Sequence, residues 1–140
     1  MLTDELRRKL IEAALTVRSY SYAPYSNYAV GAALLTESER VYTGVNIENA
    51  AYPTSMCAER VAVFKAVSEG ERKFRAIAVA TANAGTPCGS CRQVLSEFGL
   101  EILVIVVNAR GEVTQESSVS ELLPGAFGPQ DLGNKSSDQS

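Results

Sequence analysis

The sequence predicts an α/β fold in three layers, α/β/α, built on a five-stranded mixed sheet. Ile102 to Val107 is an unbroken apolar run of strand length, and a strand that apolar needs cover on both faces. Two strand segments lead through short polar stretches into helical segments, at Met56 and at Pro87, so helices alternate with strands. An amphipathic segment at the start supplies a helix for the opposite face.

Thr3 can cap a helix whose first turn holds Asp4 and Glu5, and Leu6, Leu10, Ala13, Ala14 and Val17 form its apolar stripe, ending near Tyr20. Ser21 to Asn27, rich in turn formers and tyrosine, is an ordered loop leading into a strand from Tyr28 to Leu35. Thr36 to Arg40 has hairpin length, and Val41 to Val45 returns as a second strand. A loop from Ile47 to Ser55 precedes a helix from Met56 to Ser68, stopped by Gly70, which puts Cys57 in its first turn. Arg75 to Ala82 is a buried strand. Pro87 suits the first position of a helix that runs to Phe98 before Gly99. After the strand ending at Val107, Asn108 to Gly111 turns the chain and Glu112 to Gln115 pairs back. Ser120 to Leu123 makes a short helical turn.

A chain of 140 residues, 46% of them hydrophobic, is one ordinary domain, read as residues 1–132 with a polar tail, 133–140, expected to be disordered. The net charge of −3, with no basic cluster larger than Arg7-Arg8-Lys9, argues against a nucleic-acid partner and for a small, weakly charged one. The N-terminus lacks the apolar core of a signal peptide and no apolar run is long enough to span a membrane, so the expected location is the cytoplasm.

Chemistry concentrates in two phrases, Cys57-Ala58-Glu59-Arg60 and Pro87-Cys88-Gly89-Ser90-Cys91-Arg92. The chain has three cysteines and no histidine, so a zinc ion on Cys57, Cys88 and Cys91 keeps its fourth position open, as catalytic zinc requires. Helix N-termini favour thiolate over thiol. Three thiolates overcompensate a dication, and Arg60 and Arg92, beside ligands in sequence, could donate hydrogen bonds to them. Glu59 stands two residues after a ligand, placed to move protons. Two other classes remain open: Cys88-Gly89-Ser90-Cys91 at a helix start also suits a thiol oxidoreductase, and the three sulfurs suit a structural zinc module closed by another group.

Cys-Ala-Glu followed, 31 residues after its cysteine, by Cys-Gly-Ser-Cys resembles the signature of the zinc-dependent deaminases. Pro24-Tyr25-Ser26, Val30-Gly31-Ala32-Ala33, Asn46 to Tyr52, and Leu122-Leu123-Pro124 with Phe127 extend the resemblance to the small homotetrameric cytidine deaminases. The resemblance implies hydrolysis at C4 of cytidine or deoxycytidine, giving uridine or deoxyuridine and ammonia, with one zinc per subunit and Glu59 as the proton carrier. It implies that Asn46 and Glu48 bind the sugar hydroxyls, that Asn49, Ala50 and Tyr52 line the nucleoside site, and that the Ala58 backbone meets the pyrimidine. It also implies a homotetramer with shared active sites, in which Phe127 reaches a neighbour. A different cytosine nucleoside, such as a nucleoside antibiotic, is the alternative substrate on the same scaffold. Tyr28 stands where the family commonly has phenylalanine against the base. The connection from Ala82 to Thr86 is about two residues shorter than is common, and Ser90 replaces a frequent alanine.

Overall fold

The structure, a computed structural model, describes residues 2–133. Helix α1, Asp4–Val17, opens on Thr3, whose hydroxyl accepts the Leu6 N–H at 3.1 Å, and its end tightens into a 3-10 turn at Arg18–Tyr20. Strands β1, Gly31–Thr36, and β2, Val41–Val45, form a hairpin. Helix α2, Ala58–Ser68, strand β3, Phe74–Ala80, helix α3, Gly89–Phe98, and strand β4, Leu103–Val107, follow as two strand-helix units. Strand β5, Val113–Ser118, leads directly into the short helix α4, Val119–Leu122.

The sheet has the order β2-β1-β3-β4-β5. Only β3 and β4 run parallel, so the sheet is mixed as expected. The alternation of side chains along each strand separates two cores. Ala33, Leu35, Ala78 and Ile105 pack with Leu10 and Ala14 of α1 on one face. Leu34, Ile77, Val79 and Val104 pack with Val63 of α2 and Leu95 of α3 on the other. Edge strand β5 carries polar residues outward, and Glu116 is tied to Arg7 of α1 by an ion pair, which fastens the helix to that edge.

Several boundaries depart from the sequence expectation. The first strand begins at Gly31 and not at Tyr28, because the Asn46 side chain takes the place of a strand partner there. Its Nδ2 donates to the Tyr28 carbonyl at 2.7 Å and its Oδ1 accepts the Val30 N–H at 3.0 Å. Pro87 precedes the helix and does not begin it; Cys88 is the N-cap of α3 and Cys57 that of α2. Strand β5 runs to Ser118, where a capping box with Glu121 starts α4. The tail expected to be disordered lies outside the described residues except for Gly133.

Gly31, Val45 and Ala80 lie side by side in register, so the loops entering β1 and leaving β2 and β3 emerge at one edge of the sheet. Two glycines let helices approach it. A Cβ at Gly31 would stand 2.2 Å from the Ala14 carbonyl, and one at Gly44 would stand 2.5 Å from the Ala58 carbonyl and 2.6 Å from the Ala62 nitrogen. The atoms facing Gly44 belong to the backbone of α2, so they yield only if the whole first turn moves. Gly44→Ala should therefore lower the unfolding free energy by about 2 kcal/mol, measured by denaturant titration. Unchanged stability would mean that α2 does not depend on this close approach.

Candidate active site

The two cysteine-bearing loops meet at that edge. The loop ahead of α2 is closed by reciprocal backbone bonds between Ile47 and Met56, at 2.9 and 2.8 Å, and delivers Cys57 to the helix cap. The loop ahead of α3 begins at Thr81, whose N–H continues the β3–β4 ladder to the Val107 carbonyl at 3.2 Å. Sulfur Sγ of Cys88 lies 3.7 Å from that of Cys57 and 3.2 Å from that of Cys91, and all three sulfurs fall within 4.8 Å of one another. Both helix N-termini thus present their unpaired N–H groups to one cluster.

Crowded sulfurs cannot all ionise without a cation. Cys57 is drawn down to about 5, chiefly by its hydrogen bond with Cys91 and then by Arg60 and Cys88, against its burial. Cys91 is pushed up because it holds the shared proton for Cys57 and is buried. A dication held by Cys57, Cys88 and Cys91 would take the place of that proton and let all three act as thiolates. Glu59, at the second position of α2, is 5% exposed, and burial, with the nearby Cys57 charge, pushes its carboxyl up to about 7.

A cavity of about 610 Å³ opens onto the cluster. Cys57, Cys88, Ala58, Glu59 and Arg60 line it, together with Tyr28, Asn46, Glu48 and Tyr52. Asn46 is held by Ser21, Tyr28 and Val30, which fills the acceptor sites of Oδ1 and leaves one Nδ2 N–H. Glu48 Oε1 accepts the N–H groups of Tyr25 and Ser26, each at 3.0 Å, and the Ser26 hydroxyl bonds to Oε2; these bonds, led by Ser26, hold the carboxyl below its ordinary range. The Tyr52 ring meets Tyr25 edge-on at 5.8 Å.

Other residues expected at the site lie elsewhere. Asn49 builds its own loop, with its N–H on Ser55 Oγ at 3.0 Å and its Oδ1 accepting from Ala51 at 2.9 Å, and neither it nor exposed Ala50 is among the residues lining the cavity. Phe127 is 57% exposed outside the cavity of its own chain, where its carbonyl accepts from Gln93 at 2.8 Å. Sequence reasoning missed Thr81, Met56 and Thr86, which line the cavity, as Ser90 does. Only Thr81 carried a signal, a lone hydroxyl closing an apolar strand.

Residues 4–107, which include all three cysteines and Glu59, match the family model described as the cytidine and deoxycytidylate deaminase zinc-binding region. The chain belongs to this family. It is 49% identical to a cytidine deaminase of Sporosarcina psychrophila, over 89% of this chain and 93% of the relative. A cytidine deaminase of Halalkalibacterium halodurans is 48% identical, over 91% and 98%. The crystal structure of the Burkholderia pseudomallei cytidine deaminase superposes with a TM-score of 0.82 at 47% identity, covering 86% of this chain and 98% of that one.

For a deaminase of this family the cofactor is zinc, and the sulfur cluster fits one ion. The surroundings fit it as well. Three thiolates around Zn²⁺ would leave one net negative charge, and the Arg60 guanidinium lies against their site, with Nη2 3.4 Å from Cys57 Sγ and a buried Nε that has no hydrogen-bond partner among the described residues. Arg92 corrects the sequence expectation. Its Nε donates to the Pro87 carbonyl at 2.8 Å, Nη1 to the Leu122 carbonyl at 2.8 Å and Nη2 to Thr86 Oγ1 at 3.0 Å, so it fastens the Cys88 loop to α4 instead of bonding a thiolate. The two arginines should therefore separate in experiment. Arg60→Ala should weaken zinc retention against a chromophoric chelator by about tenfold or more. Arg92→Ala should chiefly lower thermal stability, by about 2 kcal/mol for the bonds removed. Equal loss of zinc affinity in both would contradict this division.

Proposed function

We propose that the protein hydrolyses cytidine and deoxycytidine to uridine and deoxyuridine with release of ammonia, on a site that Glu59, Cys57, Cys88 and Cys91 compose. The observation that carries the reading is a buried carboxylate two residues after Cys57, one member of a three-sulfur cluster, lining a cavity large enough for a nucleoside. Zinc, when held by the three cysteines, supplies Lewis-acid activation of water. Glu59 takes a proton from the attacking water and passes it to N3 of the base; it then takes the second proton, from the hydroxyl now on C4, and delivers it to the amine as the C4–N bond breaks and the C4 carbonyl forms. Burial beside the sulfurs suits that role, because it brings the carboxyl close to neutral pH.

Asn46 and Glu48 suit a sugar. Asn46 can donate only through its remaining Nδ2 N–H, while Glu48 Oε2 keeps acceptor capacity, so one hydroxyl would be met as acceptor and another as donor. Tyr28 and Tyr52 offer ring surface, and the Ala58 backbone offers a contact to the pyrimidine. Among the described residues no basic side chain other than Arg60 lines the cavity, which favours an uncharged nucleoside over a phosphorylated one.

The proposal extends to a homotetramer with shared sites, acting in the cytoplasm in pyrimidine salvage. Tyr22 bridges Ile47, and Tyr25 meets Tyr52, so exposed apolar side chains group beside the cavity mouth, the kind of surface another copy covers. Asn49 and Ala50 fit that surface better than the substrate contact the resemblance implied.

Glu59→Ala should retain zinc and lose at least about 100-fold in ammonia release from cytidine and deoxycytidine. Zinc-free active protein, or a variant as fast as wild type, would overturn the mechanism. Mixing inactive Glu59→Ala with inactive Phe127→Ala subunits should restore turnover if Phe127 completes a neighbour's site. No recovery in verified mixed oligomers would remove Phe127 from that role.

A further inference from the structure

Two departures from the family pattern, a tyrosine at position 28 and a short connection from Ala82 to Thr86, meet in space. The Tyr28 hydroxyl donates to Asn83 Oδ1 at 2.6 Å, across 55 residues of sequence. The same Oδ1 accepts from Thr81 Oγ1 at 3.4 Å, and Thr81 Oγ1 accepts the Gly85 N–H at 2.9 Å. Thr81 is 2% exposed at the end of β3, so this chain of bonds is anchored in the sheet. The other end of Tyr28 is anchored too: its N–H donates to Ser26 Oγ at 3.1 Å and its carbonyl accepts from Asn46.

The loop is shaped for this contact. Ala84 has φ +59, a left-handed backbone that a non-glycine residue keeps only where the surroundings impose it. Gly85 leaves room for the phenol: a Cβ there would stand 2.5 Å from the Tyr28 oxygen, while the next atoms lie at an ordinary 3.6 and 3.8 Å. A phenylalanine would leave that room unused and the Asn83 acceptor without its strongest donor. Tyr28, Gly85 and Asn83 are thus parts of one contact that closes a wall of the cavity.

We propose that Tyr28, Asn83 and Thr81 form a latch that fixes the Tyr28 ring and the 82–86 loop as the cavity wall against which the substrate packs, with Asn83 the positioning residue. The proposal rests on the nucleoside reading of the cavity. The latch governs binding and not the chemical step. Thr86 and Pro87 are held separately by Arg92, and Cys57 and Glu59 sit on α2, so the metal ligands and the proton carrier keep their places when the latch opens. A loosened wall weakens ground state and transition state alike, which appears in KM.

The test is a set of variants read by kinetics, by binding of uridine as a non-reacting pyrimidine nucleoside, by zinc content and by thermal unfolding. Tyr28→Phe and Asn83→Ala should each raise KM for cytidine and Kd for uridine about fivefold, the worth of one neutral hydrogen bond, with kcat within about twofold and zinc at its wild-type level. The double variant should be no worse than either single one, in binding and in Tm. Gly85→Ala should raise KM about tenfold in the Tyr28 background and add nothing in the Tyr28→Phe background, because the atom it strikes is then gone. Additive effects of Tyr28→Phe and Asn83→Ala, or a Gly85→Ala penalty that is the same in both backgrounds, would overturn the latch, as would single variants indistinguishable from wild type. Failure of the wild-type protein to turn over cytidine would instead overturn the functional reading, with non-additive Tm shifts still supporting the latch.

Discussion

Three sulfur atoms within 4.8 Å of one another are stable as thiolates only where positive charge converges, and that requirement organises the fold. Two helix N-termini supply part of the charge, Arg60 supplies more, and a dication completes it. For the helices to meet, the loops after β2 and β3 must leave the sheet on the same edge, which the antiparallel β2-β1-β3 arrangement ensures. For α2 to come low enough, β2 must carry no side chain at Gly44. The topology, one glycine and two cap positions are therefore consequences of a single electrostatic demand. Glu59 inherits its place from the same helix turn.

The part of the cavity wall built by Asn46 and Glu48 is organised by hydrogen bonds that replace regular structure. Asn46 serves as a one-residue extension of the sheet, pairing through its side chain with the backbone of Tyr28 and Val30. Glu48 performs a similar service for Tyr25 and Ser26. Each polar group thereby shapes the loop that forms the pocket while lining the cavity itself. That economy explains why the segment from Tyr22 to Val30 is ordered without being helix or strand, and why Asn27 can sit at φ +56, a conformation asparagine tolerates.

Much of this was legible in the sequence because the informative residues are local. The apolar runs at β3 and β4, the glycines after α2 and α3, and the cysteines at helix starts each report their environment through neighbours in the chain. Arg92 did not, since its partners Thr86 and Leu122 come together only when α4 packs beside α3. Nor did the start of β1: Tyr28 and Val30 look like strand residues, and only the fold reveals that their partner is a side chain. The resemblance implies that Asn49 contacts the nucleoside, whereas the structure shows its Oδ1 accepting the Ala51 N–H within its own turn. Asn83 was silent because its meaning depends on a tyrosine 55 residues away.

Three thiolates and one open position define the metal site, and X-ray absorption at the zinc edge of the purified protein is the measurement that reads this out. Three sulfurs at about 2.3 Å and one lighter scatterer at about 2.0 Å are expected around the metal. A shell of four sulfurs, of two sulfurs with two light atoms, or a protein that takes up no zinc would contradict this.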